Sequence, residues 1–303
     1  MPPSSADRAT SDRTDSRATT VVTLQEKKAR GERITALTAY DCPTARLLDA
    51  AGIDVLLVGD SLAMVVLGHE TTLPVTMDDM LHHARAVARG AKRALLVGDM
   101  PFLSYQADTA EAVRNAGRLL QAGMHAVKLE GGRDLAPTVR ALVGAGIPVM
   151  GHAGLLPQSV RQLGGFRPQA RTAESARAVL DDALALEAAG AFAVVLESVP
   201  EKVAGAITER LQVPTIGIGA GPATDGQVLV IHDLLGLTEA VPRFVRRYAR
   251  LGEEIVKAAS AFRDDVESGR FPTSEHAPAM PEEESGAFLA ALGPERPARG
   301  HGR

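Results

Sequence analysis

The sequence predicts an α/β chain folded as a (β/α)8 barrel (a TIM barrel), with an N-terminal helix ahead of it and disordered tails. Three observations carry that expectation. Short apolar, β-branched runs recur eight times, segments of helical periodicity separate them, and five of those segments end in Ala-Gly or Arg-Gly. Eight βα units is the number that closes a barrel, and such a barrel takes about 250 residues. An open doubly wound sheet shares the same alternation and is the runner-up, because strand order is not written in periodicity.

In chain order, residues 1–20 are rich in Ser, Thr and Arg, as transit peptides are. Asp7, Asp12 and Asp15 argue against that reading, and 1–22 is taken as a disordered tail. Residues 24–33 have the pattern of a short helix leading into the first strand. Strands are expected at 34–40, 55–59, 94–98, 126–129, 149–151, 193–196, 215–219 and 228–231. Each is nearly uninterrupted apolar sequence, as suits parallel strands buried on both faces. Thr76 with Asp79, and Asp108 with Glu111, have the spacing of a helix N-cap and an acid three residues on. Gly52, Gly90, Gly123, Gly146 and Gly190 sit where helices must stop. Residues 243–262 read as a final amphipathic helix. Beyond 272 the Pro, Glu, Ala and Gly content implies a mobile tail, 273–303. That leaves one catalytic domain, 23–272.

Composition narrows the function. Hydrophobic residues at 45% support a large core. Aromatics at 3% and a net charge of −4 supply neither the stacking surface nor the basic footprint of a nucleic-acid binder. Cys42 is the only cysteine, which excludes an internal disulfide and a cysteine zinc site. No run approaches the roughly 18 apolar residues of a membrane span. A cytoplasmic protein with a small-molecule substrate is expected.

The chemistry is expected at the ends of the strands. Val58-Gly59-Asp60-Ser61, Val97-Gly98-Asp99, Lys128-Leu129-Glu130, Gly151-His152 and Leu196-Glu197-Ser198 each put a polar residue where an apolar run stops. In a barrel those C-terminal ends share one mouth, where active sites of this fold lie. Charged groups are seldom buried unpaired, so the cluster needs a reason. A hard divalent cation supplies one: Asp60, Asp99 and Glu130 offer the oxygen ligands Mg²⁺ prefers. Lys128 alternates with Glu130 and shares its face. It can neutralise a substrate carboxylate or enolate oxygen, or form a Schiff base with a keto substrate. Glu197 is the candidate general base. His152 is a candidate to orient substrate, with a structural role equally open.

Other signals are weaker. Gly217-Ile218-Gly219-Ala220-Gly221 comes late and lacks dinucleotide-fingerprint spacing, so tight packing or ligand approach is preferred. His82 and His83 are adjacent on a helix and read as surface residues. Cys42 reads as a small packing residue.

The chain resembles the ketopantoate hydroxymethyltransferase family over roughly residues 24–272. The matching stretches include Leu37-Thr38-Ala39-Tyr40-Asp41, Val58-Gly59-Asp60-Ser61-Leu62, Gly68-His69-Glu70-Thr71-Thr72-Leu73-Pro74 and Asp99-Met100-Pro101-Phe102. Val127-Lys128-Leu129-Glu130-Gly131-Gly132, Gly151-His152-Ala153-Gly154-Leu155, Pro157-Gln158-Ser159, Leu196-Glu197-Ser198-Val199-Pro200, Ile216-Gly217-Ile218-Gly219-Ala220-Gly221 and His232-Asp233 complete the set. The resemblance implies transfer of a hydroxymethyl group from 5,10-methylenetetrahydrofolate to 3-methyl-2-oxobutanoate. It implies one Mg²⁺ per subunit on Asp60 and Asp99 with Glu130 close by. Asp60, Ser61, Asp99 and Lys128 would line the keto-acid site, and Glu197 would accept the proton. It also implies a homo-oligomer, commonly a decamer. Two departures lie near the mouth: Arg167-Pro168-Gln169-Ala170 replaces the usual continuation toward Val-Gln-Gly, and Leu156 stands where a polar residue is often found. Rival readings are a metal-dependent carbon–carbon lyase on the same barrel, a Schiff-base aldolase using Lys128, and a non-catalytic barrel.

Overall fold

The structure, a computed structural model, describes residues 18–292. The chain divides into two compact units at Ala249/Arg250. In the first, the strands β1 (Ile34–Thr38), β2 (Val55–Val58), β3 (Leu95–Asp99), β4 (Ala126–Glu130), β5 (Val149–Gly154), β6 (Ala193–Glu197), β7 (Thr215–Ile218) and β8 (Gly226–Leu229) pair in sequence order into a closed parallel barrel. The closing pair matches Ile34 with Gly226 and Ala36 with Val228, which decides between the barrel and the open sheet. β8 begins two residues before the expected position, and Ile231 opens a helix instead.

The helices of this unit are α1 (Val21–Ala29), α2 (Cys42–Ala50), α3 (Leu62–Val65), α4 (Met77–Gly90), α5 (Thr109–Gln121), α6 (Ala136–Gly144), α7 (Val160–Leu163), α8 (Ala173–Ala188), α9 (Glu201–Arg210) and α10 (Ile231–Leu235). Both cap expectations are met: Thr76 and Asp79 form a reciprocal capping box, and Asp108 accepts from the Ala110 and Glu111 amides. Gly190 leaves α8 at φ +100°, a conformation glycine adopts without steric cost. Gly90 acts differently. It is the last residue of α4, and a Cβ there would lie 2.3 Å from the Cys42 carbonyl oxygen, so it permits close approach of α2.

Strand alternation builds two apolar layers. Leu56, Leu96, Val127, Leu129, Val194 and Leu196 face outward and pack with helix residues such as Met80, Leu119 and Leu186. Ile34, Val55, Leu95, Val97, Met150 and Val195 belong to the interior cluster, joined by the fully buried Leu24 of α1. α1 starts three residues before the expected helix because Thr20 and Thr23 form a capping box, and it stops near Gly31 at φ +68°. Lys27 pairs with Asp54 just before β2, and Lys28 with Asp225 just before β8, at 2.5 and 2.8 Å. α1 is thereby fixed at the N-terminal end of the barrel. A cavity of about 730 Å³ lies against β1 and β8 and includes Thr35, Leu37, Gln227 and Leu229.

The second unit contains α11 (Leu251–Glu267), a 3-10 turn at Ser274–His276, and α12 (Glu282–Ala291). Two expectations need correction. The final amphipathic helix begins at Leu251 rather than 243, and 282–291 is helical where a disordered tail was expected. Glu282, Glu283 and Glu284 occupy the first turn of α12, where acids favour a helix through its dipole. The tail expectations for 1–17 and 293–303 lie outside the described residues. Among the described residues no helix is long and apolar enough to cross a membrane.

Candidate active site

The interior positions of the barrel change character toward one end. On β3, Leu95 and Val97 give way to Asp99; on β4, Ala126 is followed by Lys128 and Glu130; on β5, Met150 by His152; on β6, Ala193 and Val195 by Glu197. Asp60 follows β2. Sheet register sets the neighbours, since Asp99 is the partner of Lys128, and Glu130 of His152. The predicted residues therefore meet at the C-terminal mouth. Asp60, Asp99, Lys128, Glu130 and His152 are all buried, and the Glu197 side chain is 17% exposed.

Lys128 is the centre of charge. Its Nζ lies 3.2 Å from Asp99 Oδ1, 3.9 Å from Glu130 Oε1 and 3.3 Å from His152 Nδ1. An ammonium can only donate, so Nδ1 is the accepting nitrogen of His152 and Nε2 carries the hydrogen. That Nε2 sits 3.3 Å from Glu197 Oε2, off the line of a well-formed hydrogen bond. A chain of contacts thus runs from Asp99 through Lys128 and His152 to Glu197.

Burial dominates the proton affinities. It raises Asp60, lifts Asp99 to about 7 and raises Glu130 well above its ordinary value, in each case against the opposing pull of Lys128. Burial alone would lower Lys128, but Asp99, Glu130 and Asp60 more than offset it and hold the ammonium above its usual range. Burial and the Lys128 charge both lower His152, keeping its ring neutral.

Each acid has one oxygen tied to the protein. Asp60 Oδ2 accepts from Gln158 Nε2 at 2.9 Å, Asp99 Oδ2 from the Asp60 amide at 3.0 Å, and Glu130 Oε2 from the Gln158 amide at 3.0 Å. Asp99 Oδ1 is buried beside the Lys128 ammonium, without a well-formed hydrogen bond among the described residues. The acids do not form a closed shell, however: among the described residues no group of three or more His, Cys, Asp or Glu could hold a metal as arranged. Lys128 and His152 stand among them instead, Lys128 at 3.2 Å from Asp99 and the pair at 3.9 and 3.7 Å from Glu130.

Three neutral residues were given no site role from the sequence, although Tyr40 and Gln158 lie in the stretches that carry the resemblance. Gln158 is buried in the loop after β5 and links Asp60 with Glu130. The Tyr105 hydroxyl accepts from the Glu130 amide at 3.1 Å and donates to Gln158 Oε1 at 2.7 Å. The Tyr40 hydroxyl is 2.9 Å from Ser61 Oγ, and its ring packs at 5.4 Å on His232. The departure segment lies beside the proposed base, where the Gln169 amide donates to the Ser198 carbonyl at 2.9 Å. Ala170 and Ser198 take positive φ of 57° and 50° there. The glycines of 217–221 serve packing: a Cβ on Gly219 would lie 2.7 Å from the Phe244 ring. The 730 Å³ cavity shares no lining residue with the acid cluster.

Comparison with known proteins separates the remaining readings. Among solved structures, phosphonopyruvate hydrolase complexed with oxalate and Mg²⁺ matches with a TM-score of 0.57 at 14% identity, over 90% of this chain and 97% of that one. 2,3-Dimethylmalate lyase, a PEP mutase/isocitrate lyase superfamily member, matches with 0.57 at 18%, over 91% and 96%. Likeness at that identity establishes the barrel and leaves the reaction open. Sequence reaches further. The 3-methyl-2-oxobutanoate hydroxymethyltransferase of Moorella thermoacetica is 58% identical over 259 residues, covering 85% of this chain and 96% of the relative. That of Syntrophobacter fumaroxidans is 58% identical over 260 residues, covering 85% and 92%. The family profile described as ketopantoate hydroxymethyltransferase matches residues 18–274. With a match across the whole barrel and relatives this similar over nearly their full length, the chain belongs to the ketopantoate hydroxymethyltransferase family, a family of transferases.

Proposed function

We propose that this chain moves the one-carbon unit of 5,10-methylenetetrahydrofolate onto C3 of 3-methyl-2-oxobutanoate, with Glu197 as base and Mg²⁺ as cofactor. The observation that carries the proposal is the charge balance at the mouth. Three buried carboxylates face one ammonium, and His152 is neutral. Burial raises the proton affinity of all three acids, because full ionisation would leave two negative charges that the ammonium does not balance; a divalent cation would balance them. The donor set fits a hard ion, because Asp60, Asp99 and Glu130 offer oxygen only, each with one oxygen tied back. Asp99 Oδ1, buried 3.2 Å from the Lys128 ammonium but in no well-formed hydrogen bond among the described residues, is the clearest candidate ligand atom. Those three residues would hold the ion, which when bound stabilises negative charge developing on the keto-acid oxygens.

The side chains account for the rest. Lys128 is held as an ammonium, which suits neutralising a substrate carboxylate and disfavours a Schiff base, since that needs the free amine. Ser61, positioned by Tyr40, offers a hydroxyl to the same ligand. Glu197, with one oxygen beside His152 Nε2, removes the C3 proton, leaving an enolate. Water adds to the folate methylene carbon as its two carbon–nitrogen bonds break in turn. The two folate nitrogens take the two protons of water, and the carbon is released at the formaldehyde level with tetrahydrofolate. The enolate carbon adds to that carbon, whose oxygen takes up the proton that Glu197 removed, giving 2-dehydropantoate.

The test is an assay of 2-dehydropantoate formation with and without Mg²⁺, comparing the parent with Glu197→Gln. Metal-dependent turnover reduced about 100- to 10,000-fold by the substitution is expected. Turnover that survives the substitution moves the base elsewhere. A folded, metal-loaded parent without turnover overturns the reaction and brings the carbon–carbon lyase forward.

A further inference from the structure

We infer that Gln158 is a positioning residue that sets the metal-binding carboxylates and couples them to the loop after β5; the inference rests on the metal reading above. Gln158 is 5% exposed, and every polar atom of its side-chain amide is engaged. Nε2 donates to Asp60 Oδ2 and to the Met100 carbonyl, both at 2.9 Å. Oε1 accepts from the Tyr105 hydroxyl at 2.7 Å and from Gln106 Nε2 at 3.0 Å. Those two donors fix which way the amide faces, because a flipped amide would set its hydrogens against theirs. The Gln158 backbone amide meanwhile donates to Glu130 Oε2. One residue therefore occupies one oxygen of Asp60, just after β2, and one of Glu130, at the end of β4, and leaves the other oxygen of each for a ligand.

The same loop also reaches the base. The Leu155 amide donates to the Glu197 carbonyl and the Gln169 amide to the Ser198 carbonyl, both at 2.9 Å. Seating this loop thus orients the acids at one end and the backbone around Glu197 at the other. Outer hydrogen bonds of this kind tune metal sites strongly, and their loss typically costs about 10- to 100-fold in metal affinity.

The experiment titrates Mn²⁺ alone into folded protein, with free ion followed by paramagnetic resonance, for the parent, Gln158→Met and Tyr105→Phe. Gln158→Met keeps the backbone amide and most of the volume while deleting both side-chain donors. Its Mn²⁺ dissociation constant is expected to rise about 10- to 100-fold. Tyr105→Phe, which unlocks the Gln158 amide and also removes the acceptor of the Glu130 N–H, should fall between it and the parent. If Gln158 merely packs the loop, both variants lose thermal stability yet bind Mn²⁺ as the parent does, and the inference is overturned. A parent that binds no Mn²⁺ removes the metal reading itself, and this inference with it. Should Gln158→Met not fold, Tyr105→Phe decides alone.

Discussion

Lys128→Met probes what allows three carboxylates to share one buried site. Methionine fills the space of the aliphatic stem, so the change removes the ammonium and little else. In the parent, separations of 3.2 and 3.9 Å to Asp99 and Glu130 correspond to gross attractions of about 5 and about 4 kcal/mol at an effective dielectric of about 20. Desolvation of the ammonium offsets much of this. Removing one partner from a buried ion pair costs a net of about 3–5 kcal/mol. Proton uptake limits that loss at low pH. Asp99 already sits at about 7 with Lys128 beside it, and without the ammonium it rises further. Between the ordinary value of 3.8 and the folded value, the native state holds more protons than the unfolded chain. Stability therefore falls as pH rises through that interval. For the Asp99 contribution the fall ends near pH 7 in the parent and continues above it in the variant. Urea unfolding of metal-free protein from about pH 5 to about pH 9 should show the two converging at the acid end and separating by about 3–5 kcal/mol at the alkaline end. Turnover should drop about 100- to 1,000-fold. A variant whose stability deficit does not change with pH would refute the reasoning, because the cluster would not then depend on the ammonium.

Two further outcomes follow from local geometry. Gly154 has φ +98°, and a Cβ there would lie 2.4 Å from the Glu197 carbonyl oxygen. Gly154→Ala should displace the base and lower kcat by about 100-fold, with Mn²⁺ affinity kept, as read by steady-state kinetics beside metal titration. Asp49 accepts from the Lys92, Arg93 and Ala94 amides at 3.0, 2.9 and 2.8 Å. Burial pushes its pKa up, but those amides more than reverse it, so the folded value lies below 3.8. Its stabilisation is present above the unfolded pKa and lost as pH falls through the folded one. Asn at this position turns an NH₂ group toward one of the amides. Urea unfolding at neutral pH should show a loss of about 1.5–3 kcal/mol that shrinks in acid.

Much of the fold was legible because burial leaves a simple mark. Strands covered on both faces carry apolar runs, and a polar residue ending such a run announces the mouth, which is how Asp60, Asp99, Lys128, Glu130, His152 and Glu197 were found. Closure was not legible: the pairing of Ile34 with Gly226 joins positions that no periodicity connects. Gln158, Tyr105 and Tyr40 were missed because neutral side chains on loops leave no charge in an apolar run. Their importance comes from partners on other strands. α12 was missed for another reason. Its composition suits a solvated tail, and it buries no residue that would produce an apolar signature. At Gly90 the residue was right and the reason wrong, since a helix-stop glycine and a close-approach glycine look alike in sequence.

The two lysines of α1 have a consequence for how the chain is made. Asp54 and Asp225 flank β1 on either side, one leading into β2 and the other into β8. α1 is therefore a clasp across the seam where the last strand meets the first. It is synthesised before any strand, yet Lys28 has no Asp225 to hold until the final strand emerges. The clasp is therefore complete only once the last strand has been made, after the strands bearing the acids.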